Sequence, residues 1–486
     1  MTLKVEGDPG YGSASAGGRF TALDSSETVP LLIPDTEQQH HIWKPLSREE
    51  LEKCAGGPEW KKFRSRLVLC FWIGWLIMLG AAITIIIQSP RMESPSLHWW
   101  QRDVFYRLHP TLFMDADSDE VSHASRVSKR LLYLKSLGVG AVILEGLFHH
   151  EISPTNLTEI DQSLGTLPQF TQLITESRKE GVRVMLDLCE LDLFEQKSGN
   201  NTDAMRLSGP SEYIQHSLRY WLEHGISGFG ICDTDAAFSA KTLMEWNVLI
   251  QEFSSQDDER ILMVRQTGNA LPALNVSIMA VNGSLVELVT KSLIPPSHHP
   301  LSPSEVAEAM EASLQMPQEN WPSWTVGGGV PWELQRAVLV LIMTLPGTPI
   351  IRYGDEVNPV QDLDQLNQPL ALFQSLSQSR VREEALHFGR FTFLSFNHSM
   401  PSSGLNSTAT PPLAFLRSWG CVHFLVLFNL GSEPHTLDPD WAPSLPEGGV
   451  FVTSTGLDRC GPVSLKSIKM KPHEAIIIKL FESDNS

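Results

Sequence analysis

Residues that could carry out chemistry lie at the ends of three short apolar runs in the middle of the chain. Asp187 and Cys189 end the first run, Cys232 ends the second, and Arg265 follows the third. A cysteine acts as a nucleophile when a cation or a histidine stabilises its thiolate. The residue after Cys232 is instead the acidic Asp233. The pattern therefore argues against catalysis by this thiol.

The elements that must position these residues alternate β-rich runs with amphipathic helices, which is typical of parallel βα units. Seven strands are predicted, with an eighth near Trp324, and together they favour an α/β fold with a (β/α)8 TIM barrel. A doubly wound open sheet is the alternative. The predicted strands are Asp103–Leu108, Ala141–Leu144, Val182–Leu188, Gly228–Cys232, Ile261–Val264, Leu285–Val289 and Ile350–Tyr353. The predicted helices include Ser125–Leu137, Leu167–Glu180, Ser211–His224 and Ser304–Ser313.

Beyond about residue 378 the helical pattern stops. Runs such as Cys421–Phe428 and Ala475–Leu480 are separated by Gly, Pro and Asn turns, which indicates a C-terminal antiparallel β domain of the sandwich type. The predicted organisation is a disordered cytosolic tail (1–44), a juxtamembrane helix with a basic flank (45–66), a transmembrane helix (67–87), an extracellular neck (88–102), the barrel (103–378) and the β-sandwich (379–486).

An uncharged apolar run from Leu67 to Ile87 predicts a single membrane span. At about 1.5 Å per residue it matches the roughly 30 Å hydrocarbon core of a bilayer. Its distance from residue 1 and its length differ from those of a cleaved signal peptide. Lys61, Lys62, Arg64 and Arg66 precede it, so the positive-inside rule predicts a cytosolic N-terminus and an extracellular body.

Two shorter signals precede the span. Glu27, Leu31 and Leu32 have the spacing of an acidic dileucine sorting signal, although such hexamers also occur by chance. Ser47 and Glu50 form a capping box that predicts the start of a short helix.

One face of the span carries mostly small residues, which would let another helix approach closely. The alternative is that these residues simply face lipid. The seam consists of Cys70, Gly74, Ile77, Ala81 and Thr84. Tryptophans near both ends are expected to act as interfacial or juxtamembrane anchors: Trp72, Trp75, Trp99 and Trp100.

The charge excludes a nucleic-acid function. Residues 67–486 carry −18 of the formal net charge of −19, which would repel phosphates, and no basic stripe offsets it. Six glycosylation sequons all follow the span, as expected for an extracellular body. They begin at Asn156, Asn200, Asn275, Asn282, Asn397 and Asn406.

The segment Leu345-Pro-Gly-Thr-Pro-Ile-Ile-Arg-Tyr-Gly-Asp-Glu356 resembles the eighth barrel strand of α-amylase family glycosidases. Val104-Phe-Tyr-Arg-Leu, Gly181–Leu188 and Gly225–Cys232 resemble that family's first, third and fourth strands. The resemblance implies a barrel whose active site uses a nucleophilic carboxylate, an acid and further sugar-holding groups.

The positions that the resemblance makes catalytic are vacant here. Cys232 replaces the nucleophile, Gly230 replaces its supporting arginine, Arg265 stands near the general acid, and Gly327-Gly328-Gly329 replaces Asn-His-Asp. Asp233 is displaced by one residue, so it would point to the other face of the strand. The resemblance therefore implies a protein that is not an enzyme, and no metal or other cofactor is expected.

The barrel places Cys189 and Cys232 at the carboxyl ends of neighbouring strands. There they form either a disulfide or two buried thiols. Cys421 and Cys460, both in the β domain, are the pair expected more strongly to form a disulfide.

A closer resemblance is to the heavy chains of heteromeric amino acid transporters. It rests on Leu46–Trp60, Phe71-Trp-Ile-Gly-Trp, Pro90-Arg91 and Lys471-Pro-His-Glu-Ala475. The short connection after Cys189 also matches that family, because it leaves no room for the inserted B domain of active amylases. Met92 stands where the family has the cysteine that bonds to the light chain. The resemblance thus implies a non-covalent junction or a different thiol.

These resemblances imply an ancillary subunit that binds, stabilises and traffics a multi-pass amino acid transporter light chain to the plasma membrane. Adhesion receptors are a second class of expected partner. The alternatives are an adhesion or glycan-binding glycoprotein, in which Trp321, Trp324 and Trp332 could stack on sugars, and, least favoured, an anchored glycosidase.

Overall fold

The computed structural model of the protein describes residues 47–55, 57–88, 95–109, 131–148, 157–161, 164–189, 210–232, 240–266, 286–294, 301–315, 321–355, 367–394, 412–437, 441 and 445–480. The chain divides into two compact units, residues 1–91 and 92–486. Several predicted features lie outside the described residues: the sorting signal, Met92, the connection after Cys189, Asp233 and all six sequons.

The first unit contains α1 (Arg48–Ala55) and α2 (Pro58–Gln88). The predicted capping box precedes α1, because Ser47 N donates to Glu50 Oε2 (3.1 Å) and Glu50 N donates to Ser47 Oγ (3.4 Å). The span lies within α2, whose residues Glu59–Gln88 are long and apolar enough to cross a membrane. None of its apolar window is buried within the protein. Such a fully apolar, uncovered helix is unstable in water, so its environment is expected to be a bilayer.

The second unit begins with α3 (Trp99–Arg102) and contains eight parallel strands. β1 pairs with β8 through Phe105 and Ile350, which closes the sheet into a barrel. The alternative of an open sheet is therefore wrong. The strands are β1 (Val104–Leu108), β2 (Val139–Leu144), β3 (Arg183–Asp187), β4 (Gly228–Cys232), β5 (Ile261–Arg265), β6 (Leu288–Ile294), β7 (Pro322–Gly327) and β8 (Thr348–Arg352).

Helices follow the strands and cover the outside of the barrel. Residues 131–136 are helical before β2. The others are α4 (Leu167–Glu180), α5 (Pro210–Glu223), α6 (Ala240–Glu252), α7 (Pro303–Gln315), α8 (Trp332–Thr344), α9 (Asn367–Arg382) and α10 (Glu384–His387). The predictions of β4 and α4 match these bounds, whereas β6 begins three residues later than expected. The polar residues Thr290, Lys291 and Ser292 lie within β6 and obscured its pattern.

Alternate strand residues fill the barrel with an apolar layer that includes Phe105, Ile143, Met185, Met263 and Ile350. This layer occupies the middle of the barrel, because side chains two residues apart on a strand share one face. The next inward positions lie at the carboxyl ends of the strands.

Trp99 and Trp100 do not have the exposed position expected of membrane anchors. They are 7% and 8% exposed and join the apolar cluster of the barrel interior. The Trp99 ring stacks on Phe105 at 5.6 Å, and its Nε1 donates to the carbonyl of Glu259. The prediction failed because a tryptophan that follows a span can be buried as readily by the next domain as by the interface.

The C-terminal domain has a six-stranded antiparallel sheet, in the order β14-β13-β16-β11-β10-β9, and a two-stranded sheet of β12 and β15. The strands are β9 (Arg390–Leu394), β10 (Leu413–Trp419), β11 (Val422–Asn429), β12 (His435–Thr436), β13 (Gly448–Ser454), β14 (Pro462–Ser464), β15 (Lys469–Met470) and β16 (Glu474–Leu480). The boundary expected at residue 378 falls inside α9, and the strands begin only at Arg390. The end of α9 contains several Ser and Gln residues, which weakened the helical pattern there and placed the predicted boundary too early.

Two fully buried arginines connect the barrel to the C-terminal domain at the end of α8. Arg417 on β10 donates to the carbonyl of Thr344 (2.9 Å). Arg380 on α9 donates to three carbonyls in the last turn of α8 and just beyond it, those of Met343 (3.1 Å), Leu345 (3.1 Å) and Gly347. Both guanidinium groups donate hydrogen bonds to carbonyl groups that the end of a helix leaves without partners. Their positive charges also complement the negative end of the α8 dipole.

Candidate functional site

The carboxyl end of the barrel interior is polar, in contrast to the apolar layer beneath it. This is the end at which (β/α)8 enzymes place their active sites. The side chains at this level, called the mouth ring below, are Arg107 (β1), Glu145 (after β2), Asp187 (β3), Cys232 (β4), Arg265 (β5) and Arg352 (β8).

Asp187 is the buried centre of the mouth ring. Its Oδ2 lies 3.7 Å from Arg107 Nε and 3.5 Å from Arg265 Nη1. Its Oδ1 accepts a hydrogen bond from the backbone N–H of Cys189 (2.9 Å). Burial lowers the pKa of Arg107, and the Asp187 carboxylate opposes that shift. The carboxylate is therefore committed to neutralising two guanidinium groups.

A disulfide joins Cys189 and Cys232 across the ends of β3 and β4. Arg265 is the register partner of Cys232 on β5, and its Nε lies 3.4 Å from Cys232 Sγ. The Cys232 sulfur, which the resemblance aligns with the glycosidase nucleophile, is thus already bonded. Of the two outcomes left open by the sequence, the disulfide is the one present in the structure.

The expected pairing of Cys421 with Cys460 is wrong, because both are exposed free thiols. Cys421 lies in the turn between β10 and β11, and Cys460 precedes β14. Three strand spacings separate β11 from β14 in the sheet, which is about 14 Å. A disulfide needs Cα atoms within roughly 7 Å.

Replacing Cys189 and Cys232 together with alanine is expected to lower the free energy of unfolding by about 2–4 kcal/mol, because the disulfide closes a long loop in the unfolded chain. The sequence separation is 43 residues. Urea titration of the full-length protein measures the change. The matched control replaces the exposed Cys421 and Cys460 and should shift the value by less than about 0.5 kcal/mol. Equal effects in the two double variants would contradict the assignment of the disulfide, which a non-reducing peptide map tests directly.

At two of the positions predicted to be vacant, Gly230 and Gly327, neighbouring atoms leave little room for a side chain. A Cβ atom at Gly230 would lie 3.0 Å from Met263 Cε, so an arginine there would have to displace Met263. Gly327 has a φ of 95°, and a Cβ atom there would overlap the carbonyl oxygen of Ile294. The end of β7 is therefore built for a residue without a side chain.

The charges of the mouth ring are the reverse of those that glycoside cleavage requires. Its two acids each face a guanidinium group: Asp187 as described above, and Glu145 Oε1 at 3.6 Å from Arg352 Nη2. The mouth ring thus contains three arginines and only two carboxylates. A glycosidase stabilises a positively charged transition state with a free pair of carboxyl groups, and guanidinium groups would oppose that charge.

Solved structures similar to this chain include trehalulose and isomaltulose synthases. An isomaltulose synthase from Klebsiella sp. superimposes with a TM-score of 0.58 at 16% sequence identity, covering 80% of this chain and all of that one. The α-amylase catalytic domain family matches residues 107–190. At this identity the likeness establishes the fold, an amylase-type barrel, and nothing about activity.

The N-terminal part gives the more specific match. The domain described as the solute carrier family 3 member 2 N-terminus matches residues 33–106. The amino acid transporter heavy chain SLC3A2 of Oryctolagus cuniculus is 27% identical over 89% of this chain and 87% of its own length. The chain is a homologue of the amino acid transporter heavy chains. The SLC3A2 heavy chain of Mus musculus is 30% identical to this homologue over 71% of the chain and 65% of its own length.

Sequence reasoning located part of the mouth ring of this heavy-chain homologue. Its members Cys232 and Arg265 end β4 and β5, and Gly327, which is not part of the ring, ends β7. The equivalence of these residues to catalytic positions of glycosidases stays a prediction. Arg107, Glu145 and Arg352 were missed, although Arg107 stands two residues after Phe105 on a strand and so shares its inward face. Among the described residues, no group of acids, histidines and cysteines could hold a metal ion.

Proposed function

We propose that the protein is a non-catalytic heavy chain: it binds a multi-pass amino acid transporter, stabilises it and carries it to the plasma membrane. The observation that carries the proposal is the mouth ring. A disulfide and an Arg–Asp–Arg cluster occupy the level at which an amylase-type barrel would hold its catalytic acids. Its homology to proteins named amino acid transporter heavy chains supports the same role.

The transporter itself must supply the substrate pathway. A single helix encloses no polar cavity, and residues 67–87 contain no ionisable carboxylate, lysine, arginine or histidine. In the proposed topology the basic residues 61–66 keep the N-terminus in the cytosol, and residues 88–486 are extracellular.

The proposed junction is non-covalent. No cysteine lies between Cys70 and Cys189, and Met92 occupies the position of the family's bridging cysteine. The small-residue seam of α2 would then make the contact with the transporter. At about 100° per residue, Ala81 lies near the middle of the seam, whereas Ala82 lies away from it.

Replacing Ala81 with leucine is expected to reduce the recovered transporter about fivefold or more, because a large side chain blocks close helix contact worth about 1–2 kcal/mol. The full-length protein is purified from cells in mild detergent, and its companions are identified by mass spectrometry on reducing and non-reducing gels. Ala82→Leu, the same substitution about 100° around the helix, is the matched control.

Recovery of a transporter at near-equal amount, with no mass shift between the gels, supports a non-covalent heavy chain. A shifted band would contradict the non-covalent junction, and equal losses in the two variants would contradict the seam. Absence of any transporter in the wild-type preparation would contradict the proposed function. Turnover of an aryl glucoside by the purified protein would contradict its non-catalytic character.

A further inference from the structure

A cleft of about 400 Å³ separates α8 from the C-terminal β domain. Trp332, Gln335 and Arg336 line the α8 side, and the β domain contributes a polar wall that includes Asp458 and Lys471. The cleft adjoins a smaller cavity of about 140 Å³ at the end of β7, which shares Gln335, Leu339 and Asp355 with it. A volume of this order is typical of small-molecule sites.

Trp332, the first residue of α8, places an indole ring at the edge of the cleft. It is 58% exposed, although it stands at the start of a helix whose later residues are buried. The other two tryptophans suggested as sugar platforms are committed to the barrel: Trp321 Nε1 donates to Thr348 Oγ1 (2.8 Å), and Trp324 Nε1 donates to the carbonyl of Pro346 (2.8 Å). Only the Trp332 ring borders the cleft.

The polar groups of the two walls differ in how they are held. Gln335 and Arg336 are half-buried, yet their side chains form no hydrogen bond or ion pair with any other residue in the described part of the chain. On the opposite wall Asp458 pairs with Lys471 and accepts a hydrogen bond from Ser454 Oγ. The α8 wall thus offers donors and acceptors that are free to bind a ligand. On the β-domain wall, Asp458 and Lys471 already pair with each other.

Asp355 provides a half-buried acceptor in the part of the cleft shared with the smaller cavity. Its Oδ2 accepts a hydrogen bond from the backbone N–H of Arg352 (3.1 Å). Burial raises the pKa of Asp355 to about 6. Because the folded state holds this proton more tightly than the unfolded chain, the contribution to stability falls as the pH rises from about 4 to about 6. At neutral pH the carboxylate is ionised at some cost to the fold.

We propose that this cleft is a carbohydrate-binding site, in which a sugar ring stacks on Trp332 and its hydroxyl groups bond to Gln335, Arg336 and Asp355. A flat aromatic face beside free donors and acceptors suits a ligand with apolar C–H faces and many hydroxyl groups. Most of the residues that line the cleft carry polar or charged side chains, which favours a ligand with many hydroxyl groups over a hydrophobic one. A free amino acid would leave much of this volume empty.

The test uses the full-length protein in lipid nanodiscs, with its own N-glycans removed enzymatically so that they do not occupy the cleft. Detergents with sugar headgroups are avoided. A glycan array identifies the best ligand, and titration with the free oligosaccharide measures its Kd. Binding is expected, and Trp332→Ala should weaken it about tenfold or more through loss of the stacked ring. Trp332→Phe should retain part of the affinity.

The control for the aromatic substitution is Tyr133→Ala, because Tyr133 is also an exposed aromatic residue, at 45%, and does not line the cleft. Asp355→Asn should weaken binding and leave the melting temperature at pH 7 unchanged or higher, because the buried negative charge is gone. Weaker binding without a lower melting temperature would show that Asp355→Asn damages the binding site and not the fold.

No binding on the array, binding that is unchanged in Trp332→Ala, or preferential binding of free amino acids would each overturn the proposal. Transporter recovery is measured on the same Trp332→Ala preparation and should equal that of the wild type. The carbohydrate site and the heavy-chain role can therefore fail separately.

Discussion

Replacing Asp187 with alanine is expected to lower the free energy of unfolding by about 3–5 kcal/mol. The substitution leaves the guanidinium groups of Arg107 and Arg265 without their shared carboxylate, and the Arg107 side chain is only 6% exposed. Arg107 Nε and Nη2 already lack hydrogen-bond partners in the described part of the chain, so no hydrogen bond at these two atoms offsets the loss of Asp187. Urea titration of the full-length protein, followed by tryptophan fluorescence, measures the change.

Two comparisons separate the buried ion pair from a general effect at the barrel mouth. Glu145→Gln removes the other acid of the mouth ring, whose partner Arg352 is 61% exposed, and should cost less than about 1 kcal/mol. Replacing Arg107 with methionine in the Asp187→Ala background should restore part of the stability, because the uncompensated buried charge is removed. Equal costs for Asp187→Ala and Glu145→Gln would show that Asp187 does not neutralise the two arginines.

Replacing Arg380 with methionine is expected to cost about 3–5 kcal/mol. Its guanidinium group is fully buried and donates to three carbonyl groups in the last turn of α8 and just beyond it. Each buried carbonyl left without a donor costs about 1–3 kcal/mol, and methionine fills a similar volume without donating. Burial lowers the pKa of Arg380 to about 10, so the residue remains charged at neutral pH. The difference in stability from the wild type should therefore be constant between about pH 6 and 9.

The matched control is Arg382→Met, which makes the same substitution two residues further along α9, where the side chain is exposed. It should change the free energy of unfolding by less than about 0.5 kcal/mol. If the Arg380 and Arg382 variants melt at the same temperature, the buried contacts of Arg380 do not stabilise the joint between the barrel and the C-terminal domain.

The sequence predictions succeeded where the residues that determine a feature are close together in the chain. The bounds of β4 followed from Gly228–Cys232, where a short apolar run ends against acidic residues. The start of α1 followed from Ser47 and Glu50, which are three positions apart in the chain. Trp99 and Trp100 had no such local determinant. Their burial depends on the barrel whose amino-terminal end they fill, so their position beside the span was misleading.

Pairings between distant residues could not be obtained in this way. The pairing of Cys421 with Cys460 was inferred from an even number of thiols, but the order of strands in the sheet separates them. Likewise, the Arg380 contacts span more than 30 residues and have no sequence signature, because a buried arginine and an exposed one look alike in a chain without its fold.

By itself the sequence determined the membrane helix, the barrel and its amylase-like strands, and the resemblance to transporter heavy chains, and it predicted that the catalytic positions are vacant. Each depends on the type and spacing of residues that are close in the chain. The tertiary structure alone decided that Asp187 neutralises two arginines, that Cys189 bonds to Cys232, and that Trp332 and Asp355 line one cleft. These groups meet only when the eighth strand closes on the first and the β domain packs against α8, because contacts between distant segments are set by how the whole chain is packed.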